Sequence, residues 1–314
     1  MVMGLNMATR QAYGQALLEL GAKHQNLVVM DADLSKSTMT AEFWKTYPDR
    51  FFNMGIAEQN MMAAAAGLAV SGKIVCASTF AMFAAGRAFE IIRNSIGYTK
   101  ANVKICATHA GITVGEDGAS HQTFEDIAMM RTIPGMTVIN PGDGVSTMIL
   151  MRQIVALDGP AYIRLGRASV PIVYNENAEI EIGKGNCVKD GKDVTIIATG
   201  IMVNQALLAA KQLQEKNIDA RVIDMHTIKP IDEEIIIKAA RETRGIITAE
   251  EHSIIGGLGS AVAEVVASRF PVKMAFVGQQ DTYGESGKPD ELLKKYGMTA
   301  EDIACAAEKL GRTE

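Results

Sequence analysis

Short apolar runs alternate with amphipathic segments through the first half of the chain. Apolar residues recur at helical spacing between residues 9 and 22, which predicts a helix there. The apolar runs that follow predict buried strands at 27–30, 74–77, 103–107, 137–139 and 161–165. Because helical segments separate these runs, we expect parallel strands joined by crossover helices.

A change in composition separates this half from the second. Between residues 173 and 192 the chain is rich in Asn, Glu, Gly and Lys, which predicts a linker and domains at 1–174 and 175–314. A βαβ repeat follows, with strands predicted at 194–198, 220–224 and 245–249 and helices at 203–216, 231–244 and 257–267. The predicted fold class is α/β, with two doubly wound domains.

Composition and charge narrow the range of functions. With 314 residues and a formal net charge of −5, the chain has no general electrostatic attraction to nucleic acid or anionic membranes. Its longest apolar run, 61–70, is about half the length of a membrane span. No secretory signal is evident in residues 1–10, and the four widely spaced cysteines predict reduced, mostly buried thiols. We therefore expect a cytoplasmic protein without a metal site of its own.

An acidic side chain precedes the most apolar segment of the chain. Glu58 opens a predicted helix whose run 61–70 has no polar face, so the helix must be buried in a core or against a partner subunit. Its carboxyl group is then placed in low-dielectric surroundings, where it can exchange a proton with a ligand. The alternative is that Glu58 has only a structural role, because an acidic side chain at the start of a helix is stabilised by the helix dipole.

A glycine-rich loop carries two histidines and an aspartate. His109, Asp117 and His121 follow the strand predicted at 103–107, and three glycines lie between them. Glycines allow tight loop conformations, and binding residues are concentrated in such loops. We therefore expect the three side chains to share one ligand. Metal binding is a weaker alternative, because no third nitrogen or sulfur ligand is nearby.

Other candidate residues lie beside strand ends. Phe80 and Phe83 follow the strand predicted at 74–77, where α/β sheets place ligands. Ser37 follows the first strand and Arg167 the last strand of this half, whereas Arg10 begins the first helix. Each arginine alone would be expected to be a solvated surface charge.

The segments 54–60 (MGIAEQN) and 108–122 (THAGITVGEDGASHQ) resemble the pyrimidine-binding half of transketolases, which are thiamine diphosphate enzymes. The resemblance covers nearly the whole chain, with a pyrimidine-binding domain followed by a transketolase C-terminal domain of Rossmann-like fold. It implies that the protein transfers a two-carbon ketol unit from a ketose phosphate to an aldose phosphate.

The same resemblance implies which residues contact the cofactor. Glu58 would bond a ring nitrogen of the aminopyrimidine and so activate thiamine diphosphate. Phe83 would stack on the ring, and Phe80 would close the pocket. Ile56 and Asp33 are further cofactor contacts by resemblance.

Substrate contacts are implied in the same way. Asp117 would bond a sugar hydroxyl, and His121 would bond the hydroxyls near the reacting carbonyl, which makes His121 a catalytic residue beside Glu58. Four residues would hold the terminal phosphate of the sugar: Arg10, Ser37, His109 and Arg167. A sulfonate or carboxylate would satisfy much of this set, so the terminal anion stays open.

One-chain transketolases begin with a domain that binds the diphosphate and Mg²⁺, and the resemblance does not include it. We therefore expect a split enzyme in which an N-terminal transketolase subunit holds Mg²⁺ and the diphosphate, with active sites between unlike chains of a heterotetramer. Deoxyxylulose phosphate synthesis, which would use the same cofactor, is one alternative, although His109 favours transketolase because Asp is usual there in those synthases. A non-catalytic, partner-binding subunit is the other alternative.

Two glycine motifs have simpler structural interpretations. The segment 141–144 (PGDG) resembles the start of a magnesium motif but lacks its Asn-rich partner, so we predict a turn. The segment 256–260 (GGLGS) has Val262 where a dinucleotide loop requires Gly or Ala. For this segment we predict packing of a helix against a sheet.

Overall fold

The computed structural model describes residues 6–312. The predicted domain limits at residues 1 and 314 lie outside the described residues. So do residues 1–5 of the segment 1–10, in which no secretory signal is evident. The strands are β1 (Asn6–Ala8), β2 (Leu27–Asp31), β3 (Phe51–Asn53), β4 (Ile74–Phe80), β5 (Val103–Thr108), β6 (Thr137–Ile139), β7 (Ala161–Arg164), β8 (Ser169–Pro171), β9 (Asn186–Lys189), β10 (Val194–Ala198), β11 (Ala220–Asp224), β12 (Thr227–Lys229), β13 (Ile246–Ser253) and β14 (Met274–Gln279).

Helices connect most of these strands. They are α1 (Thr9–Lys23), α2 (Ser35–Thr38), α3 (Ala41–Thr46), α4 (Glu58–Val70), α5 (Phe89–Ile91), α6 (Asp126–Arg131), α7 (Gly144–Ala156), α8 (Met202–Glu215), α9 (Glu233–Glu242), α10 (Leu258–Arg269), α11 (Pro289–Lys295) and α12 (Ala300–Arg312). A 3₁₀ turn lies at Pro48–Arg50, two short 3₁₀ segments separated by a kink at Gly115 lie within Ile112–Asp117, and π-helical turns lie at Phe83–Arg87 and Ile92–Gly97.

Two larger sheets organise the described residues. The first has the order β12-β6-β7-β5-β4-β2-β3 and is parallel except for β12, and the second has the order β14-β13-β10-β11-β9 and is parallel except for β9. The predicted strands form the centres of both sheets, where apolar residues are buried on both faces. The predicted α/β fold with two doubly wound domains is confirmed.

Strand β12 belongs to the second half of the sequence but extends the first sheet. Thr227 pairs with Ile139 and Lys229 with Val138, in antiparallel register. The sequence did not predict this strand, because a run of three residues carries little periodicity. The two halves therefore share backbone hydrogen bonds, and the boundary between residues 174 and 175 stays a prediction.

Both glycine motifs begin helices, so the segment 141–144, predicted to be a turn, is instead the start of α7, whereas the packing predicted for 256–260 is found at α10. Asp143 caps α7 by accepting a hydrogen bond from the Ser146 amide at 2.7 Å. The Glu250 carboxylate accepts from the amides of Leu258 and Gly259 at 2.7 Å each. An acidic side chain thus occupies the start of α10, and Gly259 lets the helix pack against β14.

One prediction about burial needs correction, and one of the two alternatives for α4 is excluded. Cys76 and Cys106 are buried, but Cys187 and Cys305 are exposed, so the thiols are not mostly buried. Helix α4 is not enclosed by the core of this chain, because its residues 59, 60, 63, 67 and 70 are exposed. Burial of α4 against a partner subunit stays a prediction.

A buried carboxyl group between the two halves gives a testable pH dependence. Asp224 accepts a hydrogen bond from the Tyr174 hydroxyl at 2.8 Å, and burial raises the pKa of Asp224 to about 7. An unfolded aspartate titrates near pH 4, so the folded state binds the extra proton between about pH 4 and 7. Stability from this group is therefore present in acid and is lost as pH rises through 7.

We expect Asp224→Asn to remove this dependence. Relative to that of the wild type, the unfolding free energy of the variant should rise as the pH increases from 5 to 8, by at most about 1.4 kcal/mol per pH unit. Urea unfolding at several pH values measures the unfolding free energy of each protein. Subtracting one from the other cancels the contributions of the titrating groups that the two proteins share. Parallel stability curves for the two proteins would contradict the assignment to Asp224.

Candidate active site

The Glu58 side chain begins α4 and is 4% exposed. Its two carboxylate oxygens accept hydrogen bonds from Nη1 of Arg87 at 3.1 and 3.3 Å. A cavity of about 470 Å³ opens beside it, lined by residues 56–60 and Arg87. The structure therefore places a buried carboxylate at the wall of a cavity large enough for a heteroaromatic ring.

Aromatic rings connect this carboxylate with the glycine-rich loop. The Phe80 and Phe83 ring centroids lie 5.9 Å apart with the rings nearly parallel, and the His121 and Phe83 ring centroids lie 5.5 Å apart in an edge-to-face arrangement. Phe80 also stacks on His109, with ring centroids 3.9 Å apart. The end of β4 thus joins the residues predicted for the cofactor to those predicted for the substrate.

The loop from His109 to His121 is braced by the second half of the chain. The Thr113 amide donates to Glu251 Oε1 at 2.6 Å, across the contact between the two halves. A Cβ atom at Gly111, where φ is +81°, would overlap the Glu251 carboxyl group. Gly111 is therefore required both by its backbone conformation and by the close approach of Glu251.

The residues predicted to hold an anion lie together. Nη1 of Arg10 donates to the Ser37 carbonyl at 2.7 Å and lies 3.4 Å from His109 Nε2. Burial, with repulsion from Arg10 and Arg167, lowers the pKa of His109 to about 3. His109 is therefore neutral near pH 7, and the positive charge of this cluster comes from the two arginines.

Arg167 connects this cluster with the acidic part of the loop. Its Nη1 donates to the Val114 carbonyl and lies 3.4 Å from Glu116 and 3.7 Å from Asp117. Burial, and after it the nearby charge of Arg167, lower the pKa of Arg10. Mutual repulsion between neighbouring cations favours binding of an anion between them.

The remaining predicted residues lie at the margin of the site. Ile56 is 78% exposed and lines the cavity beside Glu58. Asp33 follows β2 at the same edge of the sheet and accepts a hydrogen bond from Asn53 at 2.9 Å. Ile56 thus borders the cavity beside Glu58, whereas the hydrogen bond of Asp33 is with Asn53 rather than with another predicted site residue.

A buried ionic network behind the loop was missed by the sequence analysis. Arg164 Nε donates to Asp126 at 2.9 Å, and Arg164 Nη2 donates to the Glu251 carbonyl at 2.9 Å. Three polar residues, 250–252, follow the apolar strand predicted at 245–249, and this was the available signal. Sequence alone did not show that these residues point into the contact between the halves.

Comparison with known families identifies the two halves. The model of the transketolase pyrimidine-binding domain matches residues 6–172, and that of the transketolase C-terminal domain matches residues 183–303. The chain belongs to the transketolase family. The predicted family and the predicted order of its two domains are confirmed.

Individual transketolase relatives resemble the chain along nearly all of its length. A putative transketolase C-terminal section from Methanocaldococcus jannaschii is 57% identical over 96% of this chain and 95% of its own length. A 6-deoxy-6-sulfo-D-fructose transketolase subunit from Clostridium sp. is 42% identical over 96% of this chain and 94% of its own length. The solved structure of a split gene transketolase, described as an inactive β4 tetramer, aligns with a TM-score of 0.91 at 56% identity, covering 97% of this chain and 98% of that one.

Among residues 6–312, none of the helices combines the length and apolar character that crossing a lipid bilayer requires. No group of three or more His, Cys, Asp or Glu side chains in that range is arranged to hold a metal ion.

Proposed function

We propose that this chain is the subunit of a split transketolase that binds the pyrimidine end of thiamine diphosphate and the sugar substrates. One observation carries the proposal: a continuous series of contacts runs from Glu58 through Arg87, Phe83, Phe80 and His109 to Arg10, with Arg87 as the link between Glu58 and Phe83. A carboxylate, an aromatic surface and an anion cluster are thus aligned in the order in which a cofactor and a phosphorylated sugar require them.

The residues present fit the pyrimidine end of the cofactor. Glu58 offers a buried carboxylate, Phe83 offers an aromatic surface behind Arg87, and the cavity beside Glu58 and Arg87 has a volume of about 470 Å³. When bound, thiamine diphosphate supplies a carbon nucleophile that also stabilises a carbanion. The role of Glu58 is to hold and transfer a proton at its carboxyl oxygen, and the role of Phe83 is to fix the plane of the ring.

A partner chain is proposed for the other end of the cofactor. We infer that an N-terminal transketolase subunit holds the diphosphate and Mg²⁺, and that the two kinds of chain form a heterotetramer. The relative whose tetramer of β chains is described as inactive supports this division of labour. The exposed residues of α4, next to Glu58, are the proposed contact with a partner chain.

The substrate contacts are proposed from the same cluster. Asp117 and His121 orient the hydroxyl groups of the donor, and the ketol unit passes from a ketose phosphate to an aldose phosphate. The terminal anion is held by Arg10, Ser37, His109 and Arg167. Because a guanidinium binds phosphate and sulfonate by similar paired hydrogen bonds, and one relative is named for a sulfo-sugar, both anions belong in the substrate screen.

Reconstitution tests the proposed function. The chain is mixed with the N-terminal transketolase subunit of the same organism, thiamine diphosphate and Mg²⁺, and ketol transfer is measured over a panel of donors and acceptors. We expect activity from the mixture and none from either chain alone. Full activity of this chain alone would contradict the need for a partner. A stable complex without thiamine-dependent turnover would favour the non-catalytic alternative.

Removing Arg167 should weaken substrate binding selectively. Because a charge-assisted contact to an anion is worth roughly 1.5–3 kcal/mol, Arg167→Ala should raise KM for phosphorylated sugars about 10- to 100-fold and leave kcat nearly unchanged. Steady-state kinetics of the two-chain enzyme measures both constants, with the exposed Arg244→Ala as a charge-matched control. An equal loss with unphosphorylated acceptors would contradict the proposed anion contact.

A further inference from the structure

The Arg87 side chain joins two groups that the cofactor is proposed to use. Its Nη1 donates to both carboxylate oxygens of Glu58, at 3.1 and 3.3 Å. Its guanidinium carbon also lies 4.2 Å from the centroid of the Phe83 ring. A planar cation is therefore stacked on the aromatic wall and bonded to the carboxylate at the same time.

An aminopyrimidine ring needs the same two interactions. It too is planar, stacks on an aromatic face, and shares an N–H hydrogen bond with a carboxylate. Arg87 forms part of the wall of the cavity beside Glu58. The guanidinium and the ring therefore compete for the oxygens of Glu58 and for the Phe83 ring.

The backbone of Arg87 is held independently of its side chain. Its carbonyl accepts a hydrogen bond from Gln59 Nε2 at 3.0 Å, at the end of the π-helical turn Phe83–Arg87. The side chain is 54% exposed, so its charge is solvated on one side and the pair with Glu58 is weakened by water. The guanidinium can therefore move into solvent while the turn keeps its position.

We propose that Arg87 is a positioning residue that acts as a latch on the pyrimidine pocket. In the closed position its guanidinium imitates the ring and keeps Glu58 paired, and it must withdraw before the pyrimidine can bind. This inference rests on the proposed function, since it concerns the same pocket. It predicts that the pyrimidine binds more weakly than it would without Arg87, because the contacts of Arg87 with Glu58 and Phe83 must be broken first.

A titration of the isolated full-length chain with thiamine tests the latch. Because a partly exposed ion pair and a cation–π contact must be broken in the wild type, Arg87→Ala should bind thiamine about tenfold more tightly, as measured by calorimetry. The exposed Arg93→Ala, which removes the same charge nearby, should bind like the wild type. Added methylguanidinium should compete with thiamine in Arg87→Ala.

Equal, weaker or undetectable thiamine binding by Arg87→Ala would overturn the latch. Circular dichroism of the variant excludes a loss of folding as the cause. The proposed function is judged separately, by ketol transfer in the two-chain mixture. An active mixture without tighter binding by Arg87→Ala rejects only the latch, whereas tighter binding with an inactive mixture rejects only the proposed function.

Discussion

Replacing Glu58 with alanine is expected to lower kcat of the reconstituted two-chain enzyme by about 10²- to 10⁴-fold. Glu58 is the carboxylate at the buried start of α4, beside the cavity and within contact of Arg87. If it holds and transfers the proton of the cofactor ring, its removal takes away general acid–base catalysis at the step on which turnover depends. Single-turnover and steady-state kinetics at saturating cofactor measure the loss of kcat separately from any weakening of cofactor binding.

Two variants control for effects other than proton transfer. Glu58→Gln keeps the size and a hydrogen bond but cannot exchange a proton, so it should be nearly as impaired as the alanine variant. Glu90→Ala removes an exposed carboxylate from the neighbouring helix α5 and should leave kcat unchanged. A loss smaller than about tenfold in Glu58→Ala would remove this residue from the mechanism.

Replacing Arg164 with methionine should destabilise the chain by about 3–5 kcal/mol. Arg164 is 3% exposed and donates to Asp126 Oδ2, which also accepts from the Tyr162 hydroxyl at 2.7 Å, whereas Asp126 Oδ1 has no hydrogen-bond partner among the described residues. Loss of the guanidinium leaves that carboxylate buried without its counter-charge. Glu251, which holds the Thr113 amide, also loses a neighbouring cation, so the glycine-rich loop should be affected first.

Urea unfolding gives the stability change, and hydrogen exchange of the Thr113 amide reports on the loop. The matched control is Arg152→Ala, because Arg152 pairs with Glu19 at the surface, where such pairs contribute about 1 kcal/mol or less. Replacing both Arg164 and Asp126 with apolar residues should recover part of the loss. A change below about 1 kcal/mol in Arg164→Met would contradict the importance given to the network.

The central strands were predictable because each contains a short run rich in apolar residues and is buried on both faces. β10 and β11 lie at the predicted residues, and β13 extends the predicted run as far as Ser253. Strand β12 was not predictable, because its three residues are defined by pairing with β6, far away in sequence. Local patterns identify elements, whereas pairing between distant segments depends on the whole fold.

The candidate site was predictable where a motif keeps its residues close in sequence. His109, Asp117 and His121 share one loop, and the resemblance to transketolases supplied their expected roles. The contact between Arg87 and Glu58 was not predictable, because it joins positions 29 residues apart through one choice of side-chain conformation. The bracing of the loop by Glu251 spans 138 residues and required the arrangement of both halves.

The structure of the assembled two-chain particle with thiamine diphosphate tests the central claim most directly. We predict that the pyrimidine ring lies against Phe83, with a ring nitrogen within hydrogen-bonding distance of Glu58, while the diphosphate contacts the partner subunit. A cofactor ring bound elsewhere, with Glu58 turned toward solvent, would contradict the account.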